Sequence, residues 1–191
     1  MTPPLILASN SPRRQQLLKD AGYLFDIQIS NVEEIYSPTL PLKEVPVYLS
    51  QLKAKPLENI FENHVIIAAD TVVILENQLI GKPKNLQDAI QMLKLLSDKK
   101  HTVISGVTFC YRKHYHSFSE KTDVYFKQLT DNEINQYVET AKPLDKAGAY
   151  GIQEWIGLIG VERIEGDFYN VMGLPVCKLR KELDWFLQQQ S

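Results

Sequence analysis

Apolar and polar residues alternate along this chain in blocks whose period changes, and the changes sketch a mixed α/β protein. Leu5-Ile6-Leu7-Ala8 is a short apolar run ending at Ser9-Asn10-Ser11-Pro12, the pattern of a buried strand that feeds a helix. Ser11 takes the N-cap and Pro12 the first helical position, where its missing N–H costs nothing. Leu17, Leu18 and Ala21 mark the inward face, and Gly22 stops the helix. Residues 25–30 predict a second strand, followed by a polar loop carrying Glu33 and Glu34. Val45, Tyr48, Leu49 and Leu52 recur at helical spacing, which predicts a helix over 43–61 that Pro56 kinks or splits.

Residues 64–69 read as a continuous apolar strand ending at Asp70-Thr71, with 72–75 extending the β signal to a turn at Glu76-Asn77. Gly81-Lys82-Pro83 breaks the chain before a helix that turns Leu86, Ala89, Ile90, Leu93 and Leu96 inward. Antiparallel strands are expected over 102–111, 114–118 and 122–126, then a helix through Ile134, Tyr137, Val138 and Ala141. Residues 146–153 form a Gly/Ala-rich loop, 158–164 and 168–172 two strands around Glu165-Gly166-Asp167, and Leu179, Leu183, Phe186 and Leu187 a closing helix. The fold class is α/β: a mixed central sheet flanked by helices, bent into two lobes, in one domain over 1–191 with no repeat or linker.

Composition narrows the function classes. With 191 residues, 44% hydrophobic and 23% charged, the chain can bury a core unaided and is neither disordered nor a coiled coil. A net charge of -2 removes nucleic acid as a partner but is compatible with a small anion held by a few lysines. Cys110 and Cys177 stand far apart without a CxxC, which argues against a disulfide framework and a zinc site. No stretch approaches about 18 apolar residues, and the run 3–8 is too short for a signal sequence, so no membrane partner and a cytoplasmic location are expected.

Several groups could carry chemistry. Ser9-Asn10-Ser11-Pro12-Arg13-Arg14 places a helix N-terminus beside two guanidiniums, an anion site unless Ser11 merely caps and the arginines are solvated. It lacks GxxxxGK[ST] and is not a P-loop. Asp70, at the end of its apolar strand, can bind a metal or take a proton, or simply close an Asx turn. Lys53, at the border of its helix's apolar stripe, and Lys82, in a constrained Gly-Lys-Pro turn, can each hold phosphate as a point charge, although most lysines are only solvated. Glu33-Glu34 can add an oxygen ligand for magnesium or lie on the surface. His114 and His116 lack a third ligand and are read as exposed and structural. Gln153 follows small residues that would let a backbone approach a flat ligand, and its amide both donates and accepts; plain loop polarity is the alternative. Tyr150 and Tyr169 are read as packing residues.

Taken in order, residues 5–18 (LILASNSPRRQQLL), Val32-Glu33-Glu34, Leu52-Lys53-Ala54, Ala69-Asp70-Thr71-Val72, Gly81-Lys82-Pro83, residues 145–153 (DKAGAYGIQ) and Gly173-Leu174-Pro175 resemble the Maf family of nucleoside triphosphate pyrophosphatases almost end to end. The resemblance implies a substrate cleft between two lobes, commonly in a homodimer, and cleavage between the α and β phosphates with a divalent cation, Mg²⁺ or Mn²⁺. It implies catalytic roles for Ser11, Arg14, Glu34, Lys53, Asp70 and Lys82, with Asp70 and Glu34 at the metal. Arg14, Lys53 and Lys82 would form a phosphate clamp and Asp70 the general base. Arg13, Thr71 and Gln153 resemble the subgroup acting on dTTP and UTP, whereas the subgroup acting on 7-methylguanosine triphosphate carries Trp, Gln and Glu there. Ser50 departs from the small Ala that the family often has. Two other readings stay open: a nucleotide-binding regulator of septum formation, and the same chemistry on an unusual purine triphosphate such as ITP.

Overall fold

In the computed structural model, which describes residues 3–190, β1 (Leu5–Leu7) runs parallel to β2 (Phe25–Ile27) on one side and to β3 (Val65–Leu75) on the other. Met1, Thr2 and Ser191, which the domain assignment 1–191 includes, lie outside the described residues. The sheet has the order β2-β1-β3-β5-β6-β7, with β5 (Lys100–Tyr111), β6 (His114–Phe126) and β7 (Val161–Glu165), while β4 (Gln78–Ile80) pairs antiparallel with β3. With β7 antiparallel to β6, the sheet is mixed. Strands flanked by parallel neighbours and covered on both faces read as unbroken apolar runs, and Leu5 to Leu7 and Val65 to Ala69 are all buried.

The helices are α1 (Pro12–Asp20), α2 (Val45–Ala54), α3 (Leu86–Leu96), α4 (Asp131–Ala141), α5 (Trp155–Gly160), α6 (Phe168–Met172) and α7 (Val176–Gln188). The helix expected over 43–61 is shorter: α2 stops at Ala54, a single 3-10 turn, Lys55–Leu57, holds Pro56, and residues 58–61 are not helical. Three further sequence expectations are corrected. Asp70 does not close a strand, because β3 continues through it to Leu75 and no Asx turn forms there. The strands expected over 114–118 and 122–126 are one, β6, joined to β5 by Arg112 and Lys113, both at positive φ, the left-handed pair that two-residue hairpins need. Residues 155–160 and 168–172 are helical. Gly157 sits so close to the turn before it that a Cβ would lie 1.9 Å from the Ile152 carbonyl oxygen, and Asp167 Oδ1 accepts from the Tyr169 N–H at 2.7 Å to start α6. Apolar runs this short carry no decisive period.

The chain packs as two compact units: Met1–Thr71 with Ser105–Glu120 and Gly173–Ser191, and Val72–Ile104 with Lys121–Met172. In the first, α2 rests on β5 at Gly106, where a Cβ would lie 2.3 Å from Pro46 C and Val47 N. Beneath the same helix the fully buried Ser50 shares a 2.6 Å hydrogen bond with Thr108, so its departure from alanine is matched by a polar partner. In the second unit, Val73, Leu93, Leu96, Phe126, Ile134 and Ile156 belong to one core. Asn85 caps α3 and a Thr130–Glu133 capping box starts α4. Among the described residues no helix is long and apolar enough to cross a membrane.

Candidate active site

Three of the acidic and basic candidates meet in the first unit. Lys53 lies in the last turn of α2, and its Nζ donates to Asp70 Oδ1 at 2.6 Å and stands 3.1 Å from Glu34 Oε1. The lysine and Asp70 are nearly buried, at 14% and 12% exposure, whereas Glu34 is 48% exposed on a stretch, 28–44, without helix or strand. Glu34, and not its exposed neighbour Glu33, is the one paired with Lys53. One ammonium between two carboxylates leaves the cluster a net negative charge. Two hard oxygen donors converging on a single cation fit magnesium or manganese, which take one or two carboxylates and complete their shell with phosphate and water. Among the described residues no group of three or more His, Cys, Asp or Glu could hold a metal, so the chain offers no closed cage of its own.

Arg14 is placed differently. Its Nε donates to the Gly173 carbonyl at 2.8 Å, Nη1 to Ala69 O at 2.9 Å and Ser9 Oγ at 3.4 Å, and Nη2 to Thr71 Oγ1 at 2.9 Å. Four of the five guanidinium N–H groups are thus directed at the chain itself. Thr71 also bonds Ser105 Oγ at 2.8 Å and the Gly173 carbonyl at 3.3 Å. The fork therefore fixes α1, the backbone on either side of Asp70 and the Gly173 turn as one frame. Burial pushes the guanidinium below its ordinary pKa; Asp70 and Glu34 oppose that shift and Arg13 reinforces it. Ser11 occupies the N-cap of α1 without a side-chain capping bond, its N–H donating to Ser9 Oγ at 3.2 Å, and Arg13 is half-buried in the first turn.

Lys82 and Gln153 belong to the second unit. Lys82 is exposed, and the Gly148 N–H donates to the carbonyl of its neighbour Gly81 at 3.0 Å, tying the Gly-Lys-Pro turn to the 145–153 loop. Within that loop Gly148 is packed on its inner side, where a Cβ would meet Val73 Cγ2 at 3.3 Å. Tyr150 is buried and bonds His101 Nε2 at 2.7 Å. His116 is structural but half-buried, bonded to Glu182 at 2.7 Å and 4.7 Å from the Trp185 ring. Ser105 was not among the sequence candidates; its one trace is a hydroxyl inside the apolar run 103–107.

Comparison with known proteins adds to this geometry. A family model described as "Maf-like protein" matches residues 4–186. Over 180 residues the chain is 52% identical to the dTTP/UTP pyrophosphatase of Cytophaga hutchinsonii, covering 94% of this chain and 83% of that one. The proteins of the same name from Phocaeicola vulgatus and Flavobacterium johnsoniae are 48% and 46% identical, each covering 94% of this chain and 94% and 93% of their own. Among solved structures, the Ham1 protein of Staphylococcus aureus aligns with a TM-score of 0.48 at 14% identity, over 64% of this chain and 71% of that one.

Proposed function

This chain belongs to the Maf-like family, and from that premise we propose that it is a nucleoside triphosphate pyrophosphatase that hydrolyses dTTP and UTP to the monophosphate and pyrophosphate. The observation that carries the chemistry is the Lys53 ammonium held between Asp70 and Glu34. Water attacks the α-phosphorus in line, the bond to the bridging oxygen of the β-phosphate breaks, and pyrophosphate leaves with that oxygen. Asp70 takes the proton of the water.

Lys53 holds Asp70 until substrate arrives and then turns its compact charge to phosphate. A divalent cation held by Asp70 and Glu34 would supply charge neutralisation at the triphosphate. Arg14, read from sequence as part of the clamp, supports the site as its frame, because its donors are committed to Gly173, Ala69, Ser9 and Thr71. Thr71 acts through the same frame. We give Lys82 a share of the phosphate charge and Gln153 the reading of the pyrimidine edge, whose carbonyls and N–H suit an amide that both accepts and donates; Ser11 and Arg13 support the anion at the start of α1. The reading extends to a cytoplasmic homodimer, and to the lack of a nucleic-acid partner, which alone the net charge of -2 supports.

The test is incubation with dTTP and UTP in Mg²⁺ or Mn²⁺, with products separated by chromatography. Monophosphate and pyrophosphate are expected, and chelation removes the activity. Diphosphate with orthophosphate would overturn the assignment of the cleaved bond.

A further inference from the structure

Gln153 stands at the third position of a tight turn: the Glu154 N–H donates to the Gly151 carbonyl at 3.0 Å. Ile152 before it is buried and Gln153 itself is exposed. Polar turn tips are ordinarily the mobile part of a surface, but this one is tied down from beneath. Tyr137, on α4 and 1% exposed, accepts from the Gly151 N–H at 3.1 Å and donates its hydroxyl proton to Glu154 Oε2. A phenol has one proton to give, and here it gives it to one end of the turn while accepting from the other.

The second oxygen of Glu154, Oε1, lies 3.2 Å from Lys146 Nζ, which also meets Asp145 at 2.9 Å. Lys146 is buried, so its charge is balanced inside the fold. The carboxylate can fold back over the turn only because residue 151 is glycine: a Cβ there would lie 2.7 Å from Glu154 Cδ and 3.0 Å from each of its oxygens. The Glu154 carbonyl meanwhile accepts from the Gly157 and Leu158 N–H groups and starts α5. Burial, and then the Glu154 carboxylate, raise the pKa of Tyr137, so the phenol stays a neutral donor at any pH at which the enzyme would work. The backbone of residues 151–154 is therefore fixed at both ends, and the outward side chain at its tip is the Gln153 amide.

We propose that Tyr137 and Glu154, braced by Lys146, are positioning residues for base selection: they hold the 151–154 turn in one conformation so that the Gln153 amide meets a pyrimidine edge from a fixed backbone. The inference rests on the reading of Gln153 as the residue that faces the base. A preset turn spares the ordering that a loose loop would undergo on binding, and that saving appears as affinity for the matching base.

The experiment is a double-mutant cycle on purified full-length protein, with kcat and KM measured for dTTP, UTP, CTP and GTP. Tyr137→Phe keeps the ring in the core and removes the hydroxyl. It should lower the kcat/KM preference for dTTP and UTP over CTP and GTP by about tenfold, the worth of one buried hydrogen bond. The loss should appear in KM, with kcat on dTTP within roughly threefold of wild type. Gln153→Ala should lose at least as much preference, and adding Tyr137→Phe to it should change the preference no further. Equal losses on all four nucleotides, or independent addition of the two effects, would make the hydroxyl a general support of the fold and overturn the inference. If Gln153→Ala leaves the preference intact, the assignment of base reading fails and the positioning role fails with it; if only Tyr137→Phe leaves it intact, the base reading stands and the positioning role alone is lost. Should Tyr137→Phe not fold, Glu154→Gln, which keeps the volume and loses the charge opposite Lys146, is read against the same outcomes.

Discussion

Two lysines in this chain keep almost the same company. In the first unit Lys53 lies 2.6 Å from Asp70 and 3.1 Å from Glu34; in the second Lys146 lies 2.9 Å from Asp145 and 3.2 Å from Glu154. Each is a nearly buried ammonium between two carboxylates, and charge alone does not tell them apart. The partners do. Glu154 is bonded to Tyr137, starts α5 and folds back over Gly151, so both of its oxygens are engaged within the fold. Glu34 is half exposed on an irregular stretch, and its polar partner among the described residues is Lys53. The Lys53 cluster can open to admit phosphate at the loss of one exposed ion pair, a small quantity, whereas opening the Lys146 cluster would strand buried charge. Asp145 is 56% exposed, much as Glu34 is, so the difference lies in the glutamates: such a triad is a brace where its glutamate is built into the fold, as Glu154 is, and a candidate for catalysis where its glutamate is held loosely, as Glu34 is.

The largest test of that contrast is a matched pair of substitutions. Asp70→Asn keeps shape and removes the proposed base, and should lower kcat by roughly 10²-fold or more in a protein that still folds. Glu154→Gln should do the reverse, leaving kcat on dTTP within about threefold while lowering the melting temperature. Near-normal turnover by folded Asp70→Asn protein would move the base to Glu34.

A second substitution asks whether the Lys53 cluster depends on where its helix is seated. Gly106→Ala sets a Cβ 2.3 Å from backbone atoms of Pro46 and Val47, which no side-chain rotation relieves. Helix α2 must move off β5, at a loss of about 3 kcal/mol in stability. Because Lys53 rides on that helix, kcat/KM should fall more steeply than the folded fraction does. Activity that tracks the folded fraction alone would show that Lys53 tolerates the shift.

Acid separates the units in another way. His101, in the second unit, is 1% exposed, and burial lowers its pKa to about 4 against the opposing charge of Asp123. A histidine whose folded pKa is depressed binds its proton more readily when unfolded. Its contribution to stability is present in full above the unfolded value near 6.5 and is lost as pH falls toward the folded one. Wild type should lose about 2 kcal/mol by pH 5 from this group. A His101→Gln variant, less stable at neutral pH, should show a flatter profile between pH 6.5 and 4, measured by denaturant unfolding. Identical slopes would place the acid sensitivity elsewhere.

What was legible in the sequence follows the range of the interactions. Helices α3, α4 and α7 carry long apolar periods, the first two with local caps as well, and each lies where the pattern puts it. Helices α5 and α6 are set by contacts outside their own runs, Gly157 against Ile152 and Asn170 Nδ2 bonded to Val103 O and Thr122 Oγ1; the strand expected over 158–164 is present from Val161 as β7 but its first three residues end α5, and the strand expected over 168–172 is α6. At the site, the residue types of Lys53 and Asp70 and their places on a helix and a strand were readable, but not that β3 runs on through Asp70. Most of the frame around Arg14 is not readable in the sequence, because three of its four acceptors stand 55, 57 and 159 residues away and only Ser9 is local. A guanidinium beside a helix N-terminus suggests an anion until its acceptors are known.

The smallest effect lies one turn before Lys53 on α2. Ser50 on α2 is fully buried; its hydroxyl donates to the Val47 carbonyl at 2.7 Å and shares the 2.6 Å bond with Thr108, which in turn meets Ser117 at 2.9 Å. Ser50→Ala removes one member of that chain without stranding the next, since Thr108 keeps Ser117. The change should therefore lower stability by about 1 kcal/mol, the net worth of one hydrogen bond, and not by the larger penalty of an unsatisfied buried group. The backbone of α2 does not depend on the hydroxyl, because the seat at Gly106 and the apolar contacts of Leu49 and Ala54 hold it, so Lys53 keeps its place between Asp70 and Glu34. Kinetic constants for dTTP should be unchanged within about twofold. A tenfold fall in kcat without further loss of stability would mean that the buried hydroxyl chain, and not the seat at Gly106, sets the position of Lys53.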